Sequence, residues 1–187
     1  MILSDYDLMN AIRNKRIVIR PFDKETLREN GIDLRITDQV AHHNEFKKGF
    51  VLDPANPRHV RSSYRIVKRA KNIVIGSREQ VLLSTNEYVE LPDDVMGFVE
   101  IRSTWARHGL SMPPTIIDAG FKGDITLEVI NNAPYAIALR PKQRLAHIIF
   151  EKVNNRVDNV YSGRYLGQRG IRIPKVIKWE SASGKDR

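Results

Sequence analysis

The sequence predicts a mainly β fold, a barrel or sandwich of short antiparallel strands preceded by a short N-terminal helix. From Asn72 onward, short β-rich segments follow one another at Ile73–Ile75, Gln80–Ser84, Tyr88–Leu91, Gly97–Ile101, Ile125–Ile130, Ile137–Leu139 and Leu145–Phe150. Turn chemistry separates them, as in Leu91-Pro92-Asp93-Asp94 and Asn131-Asn132-Ala133-Pro134. Strand and helix patterns do not alternate, which argues against a doubly wound sheet.

Before Asn72 the pattern is more varied. Ser4 to Asn14 reads as a helix: Ser4 can cap it, Asp5 and Asp7 suit its positive end, and Leu8, Met9 and Ile12 recur at helical spacing. Ile17-Val18-Ile19 reads as a strand stopped by Pro21. Gly31 to Ile36 reads as another, with Ile32, Leu34 and Ile36 on one face and Asp33 and Arg35 on the other. His42 to Lys71, with Pro54, Pro57 and many charges, reads as a long loop or insertion around short strands. After Asn154, glycines at 163, 167, 170 and 184 stand among Arg164, Arg169, Arg172, Lys175 and Lys178. That mixture suits an arm able to close over phosphates, and beyond Lys178 a mobile basic tail.

Composition narrows the function classes. A chain of 187 residues suits one domain with a real core. The absence of cysteine excludes disulfides and every Cys-ligated metal site. No apolar run approaches the ~20 residues that cross a bilayer, and Met1-Ile2-Leu3-Ser4-Asp5 does not open a secretion signal. The expectation is a cytoplasmic protein with no membrane partner. The net charge of +9 suits a polyanion, nucleic acid or nucleoside triphosphate, or is solvated surface charge. The basic residues do not alternate with exposed aromatics as a nucleic-acid stacking platform requires, so no nucleic-acid partner is expected.

Two stretches carry chemistry. In Glu100 to Leu110 a strand runs into Arg102-Ser103, Ser103 can cap a turn through Arg107, and Gly109 ends it. Arg102, Arg107, the hydroxyls of Ser103 and Thr104 and free N–H groups would make an anion site, or else simply a basic surface turn. In Ile117 to Asn131, Gly120 and Gly123 mark a hairpin-like turn carrying Phe121, and Ile125, Leu127 and Val129 share one strand face. Glu128 lies on the other with Thr126 and Ile130. Glutamate is depleted inside strands, so Glu128 faces either solvent or a pocket, and its apolar neighbours favour a pocket. His42-His43-Asn44-Glu45 reads as surface rather than a metal site.

The order of these motifs resembles the dCTP deaminase family. The resemblance rests on Arg102-Ser103-x-x-Ala106-Arg107-x-Gly109-Leu110, then Ile117-Asp118-x-Gly120-Phe121-x-Gly123-x-x-x-Leu127-Glu128 and Asn131. Arg140-Pro141-x-Gln143-Arg144-Leu145-Ala146-x-Ile148-Ile149-Phe150 follows, a motif also similar to one in the related dUTPases. Met1 to Asp5, Ile32-Asp33-Leu34-Arg35 and Tyr165-x-x-Gln168-x-Gly170 complete it. The dUTPases usually carry an apolar residue where Glu128 stands, whereas the deaminases carry their catalytic glutamate. The sequence departs from several bacterial deaminases at Ile116, where they have a basic residue, and in a shorter segment between Leu110 and Asp118.

The resemblance implies a distorted antiparallel β-barrel or jelly roll of the trimeric dUTPase-like type over residues 1–153, with residues 154–187 as the arm. It implies deamination of dCTP to dUTP and ammonia, feeding dUMP and dTTP synthesis, in homotrimers with sites between subunits. Zinc base deaminases use a His-x-Glu and Pro-Cys-x-x-Cys signature, which this sequence lacks. No zinc is expected, and Mg²⁺ would arrive on the triphosphate. Glu128 would then be the general base and acid, with Ser103 and Arg107 as further catalytic donors. Arg102, Ser103 and Thr104 would reach the phosphates. Phe121 would pack on the deoxyribose, Asp118 would bind the 3′-hydroxyl or orient a water, and Arg164, Tyr165 and Gln168 would close over the triphosphate. Because Asp118 occupies the position of the dUTPase catalytic aspartate, a bifunctional enzyme giving dUMP, ammonia and pyrophosphate is the alternative.

Overall fold

A computed structural model describes residues 1–178 of the chain; the tail expected to be mobile lies outside them. The elements are α1 (Asp5–Arg13), β1 (Val18–Arg20), a 3-10 turn (Lys24–Thr26), β2 (Leu27–Arg28), β3 (Gly31–His43), α2 (Pro57–Ser62), β4 (Tyr64–Val67), β5 (Ile73–Ile75), β6 (Gln80–Glu90) and β7 (Val95–Ile101). After these come α3 (Ser103–Arg107), β8 (Leu110–Ser111), β9 (Thr115–Ile117), β10 (Lys122–Asn131), β11 (Ile137–Leu139) and β12 (Arg144–Lys152). The fold is mainly β, as the sequence predicts, and every strand pair among the described residues is antiparallel.

The main sheet runs β8-β10-β6-β3-β12-β7-β9, with β1 beside β6 and β2 and β4 beside β3. The pair β11-β5 stands apart. The sheet curls because β3 changes partners along its length. Gly31–Arg35 pair with β12, whereas Ile36–His42 pair with β6 across a register shift between Ile36 and Val40. An irregularity of this kind bends a strand and increases its twist. The concave side holds one apolar cluster that includes Leu8, Ile32, Leu34, Leu83, Leu127 and Phe150. Each such side chain contributes roughly 1.5–3 kcal/mol by leaving water.

The N-terminal helix forms as its caps require. The Ser4 hydroxyl accepts from the Asp7 N–H, and the Asp7 carboxylate accepts from the Ser4 N–H at 3.1 Å. The hydrogen bonds from Ser4 also lower the Asp7 pKa. Among the described residues no helix is long and apolar enough to cross a membrane.

Three expectations need correction. The strand opening at Gly31 does not stop at Ile36: β3 continues through the polar Thr37-Asp38-Gln39 to His43, with Val40 and Ala41 buried beyond them. Gln80–Ser84 and Tyr88–Leu91 are not two strands, because β6 runs from Gln80 to Glu90. Its middle is held by tertiary partners: Glu87, 0% exposed, accepts from the Arg35 N–H at 2.8 Å and Nε at 2.6 Å. Burial opposes the Arg35 charge, but Glu87 and Asp23 outweigh it and raise its pKa. Finally, the 42–71 stretch holds the expected loop around a short strand, but also a helix that the sequence did not suggest. It contains α2, capped by Asn56 and opened by Pro57, and β4, which pairs with β3. His42 is half-buried rather than free surface, its Nδ1 2.6 Å from Glu79 Oε1.

Candidate active site

β10 crosses the sheet with Ile125, Leu127 and Val129 buried in the core and Thr126, Glu128 and Ile130 half-buried on the opposite face. Strand alternation therefore aims Glu128 away from the core, into a cleft of about 470 Å³. That volume lies in the range of small-molecule sites. Glu128 pairs with Leu82 of β6, and Leu82 pairs with Ala41 of β3, which pairs with Ile66 of β4. Apolar neighbours thus flank the carboxyl along the row. Burial pushes its pKa up, and a hydrogen bond from its own backbone N–H pulls it partly back.

The turn before β10 supplies the opposite wall. Gly120 has φ +84°, and a Cβ there would meet Val160 Cγ1 at 2.0 Å, so only glycine lets the chain pass between strand and arm. Phe121 is buried and tilted against Tyr161, with ring centroids 5.8 Å apart. Asp118 and Phe121 both line the cleft with Glu128.

The segment after β12 lies along this face without regular structure. Tyr161 donates its N–H to Ala119 O at 3.1 Å, the Asp124 N–H donates to Gln168 O at 3.0 Å, and the Gly170 N–H donates to the Asp124 carboxylate at 2.7 Å. Gln168 is 7% exposed; its Nε2 donates to Asp124 O, and its Oε1 has no hydrogen-bond partner among the described residues. Tyr165 and Gln168 line the cleft. Arg164 is exposed outside the lining, its Nη1 donating to Val176 O at 3.3 Å.

The other expected residues gather elsewhere. Arg102, not Ser103, occupies the N-cap position of α3, and its side chain makes no capping bond among the described residues. A guanidinium has no acceptor and cannot cap; Arg102 Nε instead meets Asp33 Oδ1 at 3.3 Å. Asp33 is 2% exposed and also meets His147 Nδ1 at 3.0 Å and Arg144 Nη1 at 3.6 Å. The Trp105 indole donates to Arg144 O at 2.8 Å, fixing α3 on β12. Ser103, Thr104 and Arg107 are exposed, and none of them lines the Glu128 cleft. The chain therefore brings Asp118, Phe121, Glu128, Tyr165 and Gln168 together and leaves Arg102, Ser103, Thr104, Arg107 and Arg164 outside.

Sequence reasoning missed Tyr64, Thr126 and Tyr161, which also line the cleft. Tyr64 carried a signal, the alternating β-prone run Tyr64-Arg65-Ile66-Val67, obscured by the charges around it.

Fold and cleft together define a mainly β protein, a large curled antiparallel sheet with a smaller pair beside it, that carries a half-buried carboxyl of raised pKa in a ligand-sized pocket. The family model described as dCTP deaminase-like matches residues 2–153, and the chain belongs to that family. The dCTP deaminase of Pyrobaculum aerophilum is 45% identical over 180 residues, 96% of this chain and 99% of that one. The dCTP deaminase of Saccharolobus solfataricus is 42% identical over 175 residues, 94% of this chain and 92% of that one. Among solved structures, the 2′-deoxycytidine 5′-triphosphate deaminase of Agrobacterium tumefaciens superposes with a TM-score of 0.63 at 18% identity. That match covers 81% of this chain and 47% of the other, so the chain spans about half the length of that relative; the likeness is one of fold.

Proposed function

We propose that this chain is a dCTP deaminase, converting dCTP and water to dUTP and ammonia. The observation that carries the reading is Glu128, a carboxyl of raised pKa in a nucleotide-sized cleft. Its near full-length relatives named dCTP deaminase support the substrate. A group whose pKa moves towards neutrality is suited both to take a proton and to return it. Glu128 removes a proton from water, the oxygen bonds to C4 of the base, and the same carboxyl hands the proton to the amine, which leaves as ammonia. Phe121 packs on the deoxyribose and Asp118 meets its 3′-hydroxyl. Tyr165 and Gln168 hold the arm over the triphosphate, with Arg164 joining them as the arm tightens.

Ser103 and Arg107 are needed as donors to the tetrahedral intermediate, yet they lie outside the cleft of their own chain. The site is therefore completed by a second copy in a homotrimer, whose α3 brings Arg102, Ser103, Thr104 and Arg107 to the nucleotide. Mg²⁺ arrives on the triphosphate. Its ligands would be mainly phosphate oxygens, with few from the protein.

Asp118 shares the cleft with Glu128, which favours one second reading, a bifunctional enzyme that also releases pyrophosphate. Product analysis after incubation with dCTP and Mg²⁺ decides. Accumulation of dUTP and ammonia supports simple deamination; dUMP and pyrophosphate without free dUTP support the bifunctional reading. Untouched dCTP rejects both.

A further inference from the structure

Tyr64 enters the cleft from β4, in the stretch expected to be a loop or insertion around short strands, and the proposed chemistry gives it no task. It pairs with His43 across β4 and β3 and stacks on that ring, with centroids 4.2 Å apart. One step along the sheet lies the row Ile66, Ala41, Leu82, Glu128. Tyr64 packs against the buried cluster of Ala41, Leu82 and Ile171, and Leu82 is the cross-strand neighbour of Glu128. Both Tyr64 and Glu128 line the cleft.

We propose that Tyr64 is a positioning residue for Glu128: with Leu82 and Ile171 it forms an apolar wall that keeps water from one side of the carboxyl. The inference rests on Glu128 as the acid–base group. The electrostatics agree with the packing, because burial first and the Glu128 charge second raise the pKa of the Tyr64 hydroxyl. The two groups therefore sense each other. Other titratable groups face the same space: Asp118 from beyond β9, and Tyr161, Tyr165 and Arg172 from the arm, while His43 lies behind the Tyr64 ring. Burial is the largest cause of the raised Glu128 pKa, opposed only by a hydrogen bond from its own backbone N–H, which makes the wall consequential.

The test compares Tyr64→Phe and Tyr64→Ala with the unaltered full-length chain. Two readouts are taken: the pH profile of kcat with dCTP and Mg²⁺, and the Glu128 carboxyl titration by ¹³C NMR without nucleotide, assigned with Glu128→Gln. Tyr64→Phe keeps the ring and leaves the midpoint in place. Tyr64→Ala admits water and lowers the midpoint by about one pH unit, a tenfold change in proton affinity. A folded Tyr64→Ala with an unmoved midpoint overturns the proposal. So does a shift in Tyr64→Phe as large as that in Tyr64→Ala, which would assign the effect to the hydroxyl. If Tyr64→Ala does not fold, Tyr64→Gln, polar and of similar reach, replaces it under the same criteria. If the unaltered chain leaves dCTP untouched, the deaminase reading fails, while the nucleotide-free titration still decides the role of Tyr64.

Discussion

The cleft under Glu128 and the surface around α3 are built in opposite ways. The cleft is walled within one chain: β10 aims the carboxyl, the Gly120–Phe121 turn forms one side, and the arm crosses it through Gln168. At α3, a buried Asp33 holds Arg102, while Ser103, Thr104 and Arg107 stand exposed outside the Glu128 cleft. One region is a pocket with two carboxyls, Asp118 and Glu128, and Arg172 as its lining cation; the other is a set of exposed cations and hydroxyls outside that pocket. The difference teaches that exposure in a single chain does not mean an idle surface. The proposed reaction would need both sets, an acid–base group in the pocket and donors for the phosphates and the intermediate, and a second copy is the proposed means of bringing them together.

The sharpest way to break this contrast is at Glu128 itself. Glu128→Gln should bind dCTP while kcat falls about 10²–10⁴-fold, the usual worth of a placed acid–base group; near-normal turnover would remove the carboxyl from the mechanism. Next is the buried anchor of the α3 surface. Asp33→Ala leaves Arg102 without its partner and should destabilise the fold by about 1–3 kcal/mol in denaturant titrations, since the stranded guanidinium is partly solvated. An unchanged midpoint would mean that α3 does not depend on this carboxylate. A smaller effect belongs to the arm: Gln168→Ala loses the bond to Asp124 O and should raise KM by up to about tenfold with kcat little changed. A fall confined to kcat would instead place Gln168 in the chemical step.

The smallest effect is on stability against pH. The folded pKa of Glu128 is raised, so the folded chain holds that proton more tightly than the unfolded chain does. The ionised carboxylate then costs stability above its folded pKa, and the cost disappears below its unfolded value. Glu128→Gln should melt slightly above the unaltered chain at pH 8, with the gap closing towards pH 4; a gap that widens on acidification would contradict the desolvated carboxyl.

What the sequence made legible follows from how local its signals are. Ser4 with Asp7 specifies the start of α1 within one turn, and the alternation from Ile125 to Ile130 places Glu128 on the face opposite the core. The continuity of β3 and β6 was hidden because Thr37-Asp38-Gln39 and Thr85-Asn86-Glu87 look like turns. Distant partners hold the second of these in place: Arg35 against Glu87, and the Ile125 N–H donating to Thr85 Oγ1 at 2.9 Å. The capping role expected of Ser103 failed because the turn begins one residue earlier, with Arg102 at the N-cap and its side chain on Asp33, 69 positions away in sequence. Local pattern also gave no hint that Tyr64 shares a cleft with Glu128. Their proximity depends on the order β4-β3-β6-β10, which only the folded sheet supplies.

The most direct test of a site shared between copies is subunit mixing. Glu128→Gln and Arg107→Ala chains, each inactive alone, are unfolded, combined in equal amounts and refolded, and dCTP turnover is measured. If Glu128 and Arg107 act across an interface, random assembly should leave about a quarter of the sites with both native groups and restore activity in proportion. Mixed assemblies as inactive as their parents would contradict a site built from two copies.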